Sequence, residues 1–193
     1  MSKFISLDQS LSKFAWIVWN EGEIESYGVW RTGNVGVKTK RKDVTYFEHT
    51  EEQIDMLCDE LVDLFDQGYP EVIVMEGLSF GSAGNATRDL AGLYYGVRRC
   101  LMSMRQYGYS NWIQYAPTSL KSFARDYLEE EKQTETSAKT GKPIKAKMDK
   151  KLMVEAARNQ EGKDFLSKYN YSTGLDDLAD AYWAGRKYLE ENQ

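Results

Sequence analysis

The sequence predicts an α/β fold, a mixed five-stranded sheet with three antiparallel strands followed by parallel ones, flanked by helices. Three observations lead there. The first thirty residues are short β-rich runs joined by tight polar turns, and apolar residues further on recur at helical spacing. Between the helical stretches, EVIVM at 71–75 is an apolar run without polar alternation, as expected of a strand covered on both faces.

Taken in order, Phe4–Asp8, Phe14–Trp19 and Ile24–Trp30 are predicted strands. The short turns between them, with Ser10, Ser12, Asn20, Glu21 and Gly22, imply an antiparallel meander. After a polar, basic connection, Ile54, Leu57, Cys58, Leu61 and Phe65 mark a helix with Thr50 and Gln53 spaced as a capping box, ending near Gly68-Tyr69-Pro70. Glu76 closes the fourth strand, and a glycine-rich loop at 77–84 precedes a second helix marked by Leu90, Leu93, Val97, Leu101 and Met104. Trp112–Tyr115 is the fifth strand, and Pro117-Thr118-Ser119 opens a helix through about Leu128. Residues 129–147 are polar, charged and nearly free of large apolar side chains, which predicts a mobile basic loop that carries no core. A helical pattern resumes over Lys147–Arg158, and Leu178, Ala181, Tyr182, Gly185 and Leu189 give the closing helix its apolar stripe.

With 193 residues and 41% hydrophobic content the chain supports one sizeable core, and a single domain over 1–193 is expected. No signal-peptide pattern and no membrane-spanning apolar run is present, so the expected setting is the cytoplasm, without a membrane partner. Cys58 and Cys100 fall at apolar helical positions and read as buried small hydrophobes. A net charge of −5 and a pI near 5.1 argue against nucleic acid as a partner on average. Locally, however, Lys38–Lys42 and the stretch from Lys139 to Lys151 are strongly basic, while the acids gather at Glu48–Glu60, at Glu129–Glu131 and at the C-terminus.

The chemistry lies in four acids. Asp8 and Glu76 end apolar runs that should be buried, and if their strands are parallel neighbours both carboxylates emerge at one sheet edge, where open α/β sheets place their sites. Asp177 and Asp180, three apart, share a face of the closing helix. Each acid alone has a plain structural explanation: a turn cap, a strand end, or a favourable helix N-terminus. Together they would repel one another unless a divalent cation joins them, and oxygen-only ligands favour Mg²⁺, with Mn²⁺ as a substitute. Two such ions, roughly 4 Å apart, can activate a water and stabilise a phosphodiester leaving oxygen. His49, the single histidine, precedes the first long helix and suits a capping or surface role, which leaves a catalytic triad without support.

At this point the spans ISLDQSLSKFAWIVW, VIVMEGLSFGSAGNATRDLAGLYYGVRR, IQYAPTSLKSFARDY, KMDKKLMVEAA and LDDLADAYWAG resemble successive blocks of RuvC-type Holliday junction resolvases, which are RNase H-like nucleases. The resemblance implies that Asp8, Glu76, Asp177 and Asp180 are the metal-binding catalytic carboxylates, with Asp176 a neighbour able to substitute. It places the family's lysines on Lys121 and Lys147, the latter with a catalytic role, alongside Lys145, Lys150 and Lys151 as DNA contacts, and its base-stacking aromatic on Phe80, with Leu78 as competitor. It further implies two Mg²⁺ per active site, a homodimer whose interface uses the second helix (Leu93, Tyr94, Tyr95 and Val97), and branched DNA as substrate. The chain departs from the family in lacking the proline and glycine after the first aspartate, and in a longer charged insertion at 129–146. Three other functions compete: action on RNA or an RNA–DNA hybrid, a catalytically silent junction-binding scaffold, and a phosphotransferase, for which the chain lacks a second lobe.

Overall fold

The computed structural model describes residues 3–66, 68, 70–78, 85–104 and 111–192. Strands β1 (Phe4–Asp8), β2 (Phe14–Asn20) and β3 (Glu23–Trp30) form the expected antiparallel meander, with an irregularity in register between Val18 and Trp19. A small parallel pair, β4 (Thr32–Asn34) with β5 (Thr45–Phe47), precedes helix α1 (Thr50–Asp66). Strand β6 (Val72–Glu76) then pairs parallel with β1, helix α2 (Asn85–Ser103) crosses over, and β7 (Trp112–Tyr115) pairs parallel with β6. The sheet order is thus β3-β2-β1-β6-β7. The remainder comprises α3 (Pro117–Arg125), α4 (Glu130–Gln133), the antiparallel pair β8 (Thr134–Thr136) and β9 (Pro143–Lys145), α5 (Lys150–Glu161) and α6 (Leu175–Glu191).

Strand alternation sorts the core into two layers. Ile5, Leu7, Phe14, Val18, Ile73 and Met75 pack with α1 and α2 through Leu57, Leu61, Phe65, Leu93 and Val97. Phe4, Ala15, Ile17, Trp19 and Val74 pack on the other face with α3, α5 and α6 through Leu120, Met153, Leu178, Ala181, Tyr182 and Trp183. Helix α6 lies close on the sheet because Gly185 presents no side chain: a Cβ there would stand 2.4 Å from Trp19 Nε1 and 2.8 Å from Ser6 Oγ. Those two groups are themselves joined by a buried hydrogen bond of 2.8 Å, Trp19 Nε1 donating to Ser6. Among the described residues no helix is long and apolar enough to cross a membrane.

Several expectations change. Residues 129–147, expected as loop, hold α4 and the β8–β9 hairpin, and Ala146 is buried. The expected capping box of Thr50 and Gln53 is replaced by a bond from Glu52: its carboxylate accepts from the backbone N–H groups of Glu48 and His49, both at 3.1 Å. Gln53 is buried instead, with Oε1 3.4 Å from the Thr32 hydroxyl that donates to it. On α2, Leu93, Tyr94 and Val97 belong to the core, and only Tyr95 of the four expected interface residues is exposed, at 63%.

Candidate active site

The register of the parallel pair sets the first two acids side by side. Leu7 lies opposite Met75, so the next residues, Asp8 and Glu76, close their strands as neighbours. Alternation along each strand sends both side chains to the face that carries Phe4, Val74 and α6, since Leu7 and Met75 pack on the opposite one. Helix α6 brings the rest. Its N-cap, Gly174, adopts φ +105°, and a Cβ at that point would stand 2.8 Å from Val29 on β3. Glycine is therefore required both by the backbone and by the approach of the helix start to the sheet. Asp176 and Asp177 in the first turn are buried, and Asp180 follows one turn on, partly exposed.

The charge balance is uneven. Burial raises the Asp8 carboxyl well above its ordinary range, and Asp180, Glu76 and Asp177 push it further, with Lys150 opposing. Burial, then Glu76, raises Asp180 to about 7, with Asp177 adding to the effect and Lys121 and Lys150 opposing. Glu76 is raised by burial against the pull of Lys121. Asp177 is raised by burial and by Asp176 despite Lys13. Asp176 behaves oppositely: burial acts upward, but the Lys150 hydrogen bond, its own backbone N–H and Lys13 hold it below its ordinary range.

Lysines from three elements approach the acids. Lys13, in the β1–β2 turn, has Nζ 2.8 Å from Asp177 Oδ2 and 3.4 Å from Asp176 Oδ1, and donates to the Tyr171 carbonyl at 3.1 Å. The Asp177 contact is an ion pair that misses hydrogen-bond angles, so Oδ2 is buried without a hydrogen-bond partner. Lys150 forms an ion pair with Asp176, and Lys121 on α3 faces Glu76 and Asp180. Of the lysines singled out from sequence, the structure therefore brings Lys121 and Lys150 to the acids. Lys145, Lys147 and Lys151 are exposed and make no side-chain hydrogen bond or ion pair among the described residues. The reason is where α5 starts: Asp149 caps it by accepting from Leu152 N at 2.9 Å, so Lys150 is its first residue and Lys147 lies before it. Lys13 was missed by sequence reasoning, although its place five residues after Asp8 in a short turn makes it a neighbour of any strand-end site. Phe80 lies outside the described residues; Leu78 is partly buried and packs at the edge of the α1–α2 core.

The donor set fits a hard divalent cation. It is made of carboxylates alone, and four of them have pKa values raised chiefly by burial, with neighbouring carboxylates adding to the effect at Asp8, Asp177 and Asp180. Asp8, Glu76, Asp177 and Asp180 are the residues that would hold it; Asp176 already has two lysines. In the conformation described, no three acidic, histidine or cysteine side chains close on one point as metal ligands among the described residues. Lysine ammonium groups stand against the acids instead.

No protein-family model matches the sequence, and neither does any curated protein sequence. Solved structures do match in fold. RuvC of T. thermophilus in complex with a Holliday junction substrate superposes with a TM-score of 0.59 at 12% identity, covering 100% of this chain and 96% of that one. The yeast mitochondrial Holliday junction resolvase Ydc2 gives 0.56 at 17% identity, over 100% of this chain and 85% of that one. Fowlpox virus resolvase, in complex with Holliday junction DNA, gives 0.51 at 16% identity over 98% of both chains. The chain thus has the RNase H-like fold of these resolvases.

Proposed function

We propose that this chain is a Mg²⁺-dependent endonuclease that resolves four-way and other branched DNA junctions by hydrolysing phosphodiesters. The observation that carries this reading is the placement of Asp8 and Glu76, on adjacent parallel strand ends, under the helix that carries Asp177 and Asp180 over the same face, all four with raised pKa values. The fold match over the full chain to junction-bound nucleases supports the substrate class. A divalent cation on these carboxylates supplies charge neutralisation and an activated water. The chain's own residues do the rest. Lys121 and Lys150 set positive charge beside the acids, where the phosphate and its developing charge would lie, and Asp176 fixes Lys13 and Lys150 in place. Lys145, Lys147 and Lys151, exposed around the start of α5, would touch the DNA backbone beyond the reacting phosphate.

In this reading the chain works as one nuclease domain and as a homodimer, two sites on a two-fold axis matching a two-fold substrate. Tyr95, exposed on α2 beside Arg98, Arg99 and Met102, is the anchor available for that contact. The test is cleavage of labelled four-way junction, flap, linear duplex and RNA–DNA hybrid in Mg²⁺ or Mn²⁺, comparing wild type with Asp8→Asn. Paired symmetric nicks on the junction, absent in the variant, are expected. Preferential cutting of the hybrid, or junction binding without metal-dependent cleavage, would overturn the assignment.

A further inference from the structure

Beside the carboxylates lies a cavity of about 320 Å³ whose lining includes Lys13, Arg31, Thr39, Arg41, Tyr46 and Ser172. Its lining carries three basic side chains, Lys13, Arg31 and Arg41, and no carboxylate. The Arg31 side chain is only 8% exposed, and its Nη2 donates to the Ser172 carbonyl at 3.1 Å. Arg41 Nη1 donates to the same oxygen at 3.3 Å, so two guanidinium groups converge on one neutral acceptor. Arg31 Nε is buried with no hydrogen-bond partner. The acid that offsets this charge is Asp43, paired with Arg31 and 60% exposed at the rim. The rim itself is held by the Lys38–Lys42 run: Arg41 N donates to Tyr46 OH at 2.7 Å, and Lys40 Nζ stands 5.4 Å from the centre of the Tyr46 ring. Two close guanidinium groups with a spare, buried N–H form an anion receptor, because the planar fork of arginine matches the oxygens of a phosphate.

We infer that this cavity is a phosphate subsite, which seats a backbone phosphodiester of the nucleic acid next to the one held at the carboxylates. The inference rests on the nuclease reading above and adds the path of the strand. Lys13 is the shared wall: it lines the cavity and stands 2.8 Å from Asp177. A strand whose reacting phosphate lies on Asp8, Glu76, Asp177 and Asp180 therefore continues over Lys13 to Arg31 and Arg41, and on to the basic run. Contacts of this kind position the backbone without reading bases, and each releases about one counterion on binding.

The test uses the full chain and two probes. In the first, inorganic phosphate is titrated at constant ionic strength while the arginine Nε–H signals are followed by NMR; those of Arg31 and Arg41 move with phosphate and not with chloride, and Arg41→Gln abolishes the response at Arg31. In the second, four-way junction binding is measured in Ca²⁺ across a salt series. Arg41→Gln weakens binding on the order of tenfold and lowers the slope of log K against log salt by about 0.9. Asp43→Asn, which frees Arg31 from its carboxylate, tightens binding, an effect that loss of folding cannot mimic. Junction binding with unchanged affinity and slope in both variants would overturn the subsite while leaving the nuclease reading intact. A phosphate response at the arginines with no change in DNA binding would assign the cavity to a free phosphate and overturn its place on the strand. Failure of the wild type to bind any branched DNA would overturn both that place and the reading it rests on.

Discussion

Replacing Asp180 with asparagine is expected to stabilise the protein at neutral pH while abolishing the proposed metal-dependent cleavage. The magnitude follows from its carboxyl, raised from 3.8 to about 7 by burial, Glu76 and Asp177. Because the folded state holds this proton more tightly than the unfolded chain, the contribution to stability is fully present below pH 3.8 and is lost as pH rises through about 7. At about 1.4 kcal/mol for each pH unit between those values, an ionised Asp180 costs up to about 4 kcal/mol, an upper bound because the carboxyl keeps some solvent contact. Asparagine keeps the shape and removes the charge. Urea unfolding in EDTA should therefore show the variant equal to wild type at pH 4 and more stable by roughly 2–4 kcal/mol at pH 8. Mg²⁺ should raise the stability of wild type at pH 8 and that of the variant less, since the ion and the substitution relieve the same repulsion. A variant that gains nothing between pH 4 and pH 8, or is destabilised throughout, would refute the idea that these acids are crowded together at a cost.

Other substitutions separate the parts of the site. Asp176→Asn should lower stability by roughly 1–2 kcal/mol at pH 7, because Lys13 and the mostly exposed Lys150 lose their shared partner, and should leave more cleavage activity than Asp177→Asn; equal losses of activity would place Asp176 among the metal ligands. The low pKa of Asp176 implies stability that is present above the ordinary carboxylate range and lost as pH falls below it, so Asp176→Asn should flatten the acid limb of the unfolding profile. Gly185→Ala forces a methyl group into Trp19 and Ser6 and should cost about 1–3 kcal/mol in urea unfolding, with a loss of cleavage at temperatures where the protein remains folded, because α6 carries Asp177 and Asp180 away from Asp8. Cys58, pushed up to about 12 chiefly by burial, should resist alkylation at pH 8 until the protein unfolds, as read by mass spectrometry.

The large elements were legible because their burial leaves a period in the sequence. EVIVM reads as a doubly covered strand since Ile73 and Met75 pack on one face and Val74 on the other, and the DLADA spacing places Asp177 and Asp180 one turn apart on a helix whose apolar stripe is plain. What stayed hidden has no such period. Strands β8 and β9 are exposed at every position, so nothing apolar alternates in them; the Gly141 turn, at φ +65°, was the available signal. The choice between Lys147 and Lys150 depends on a helix boundary, and Asp149, three residues before Leu152, was the cap that would have set it. The β4–β5 pair is a short backbone ladder, with Thr45 N donating to the Arg31 carbonyl and Val35 N to that of Phe47, and three-residue strands leave no period for a local pattern to show.

The unequal treatment of five neighbouring acids is what the proposed ligand site would need, and it differs from a structural ion-pair network. A network selected for stability satisfies its members, as Lys13 and Lys150 do for Asp176, whose pKa falls. Asp8, Glu76, Asp177 and Asp180 lie within reach of the same lysines and Lys121, yet each has its pKa raised, and Asp177 Oδ2 is buried without a hydrogen bond. Buried carboxylates set close to one another destabilise the folded chain when ionised, and a change of acid to amide at any of those positions would relieve that cost. Their placement together, on elements joined by the sheet register and by the close approach of α6 at Gly185, is what the proposed cation would use, since an ion bound by oxygen alone would offset their charge.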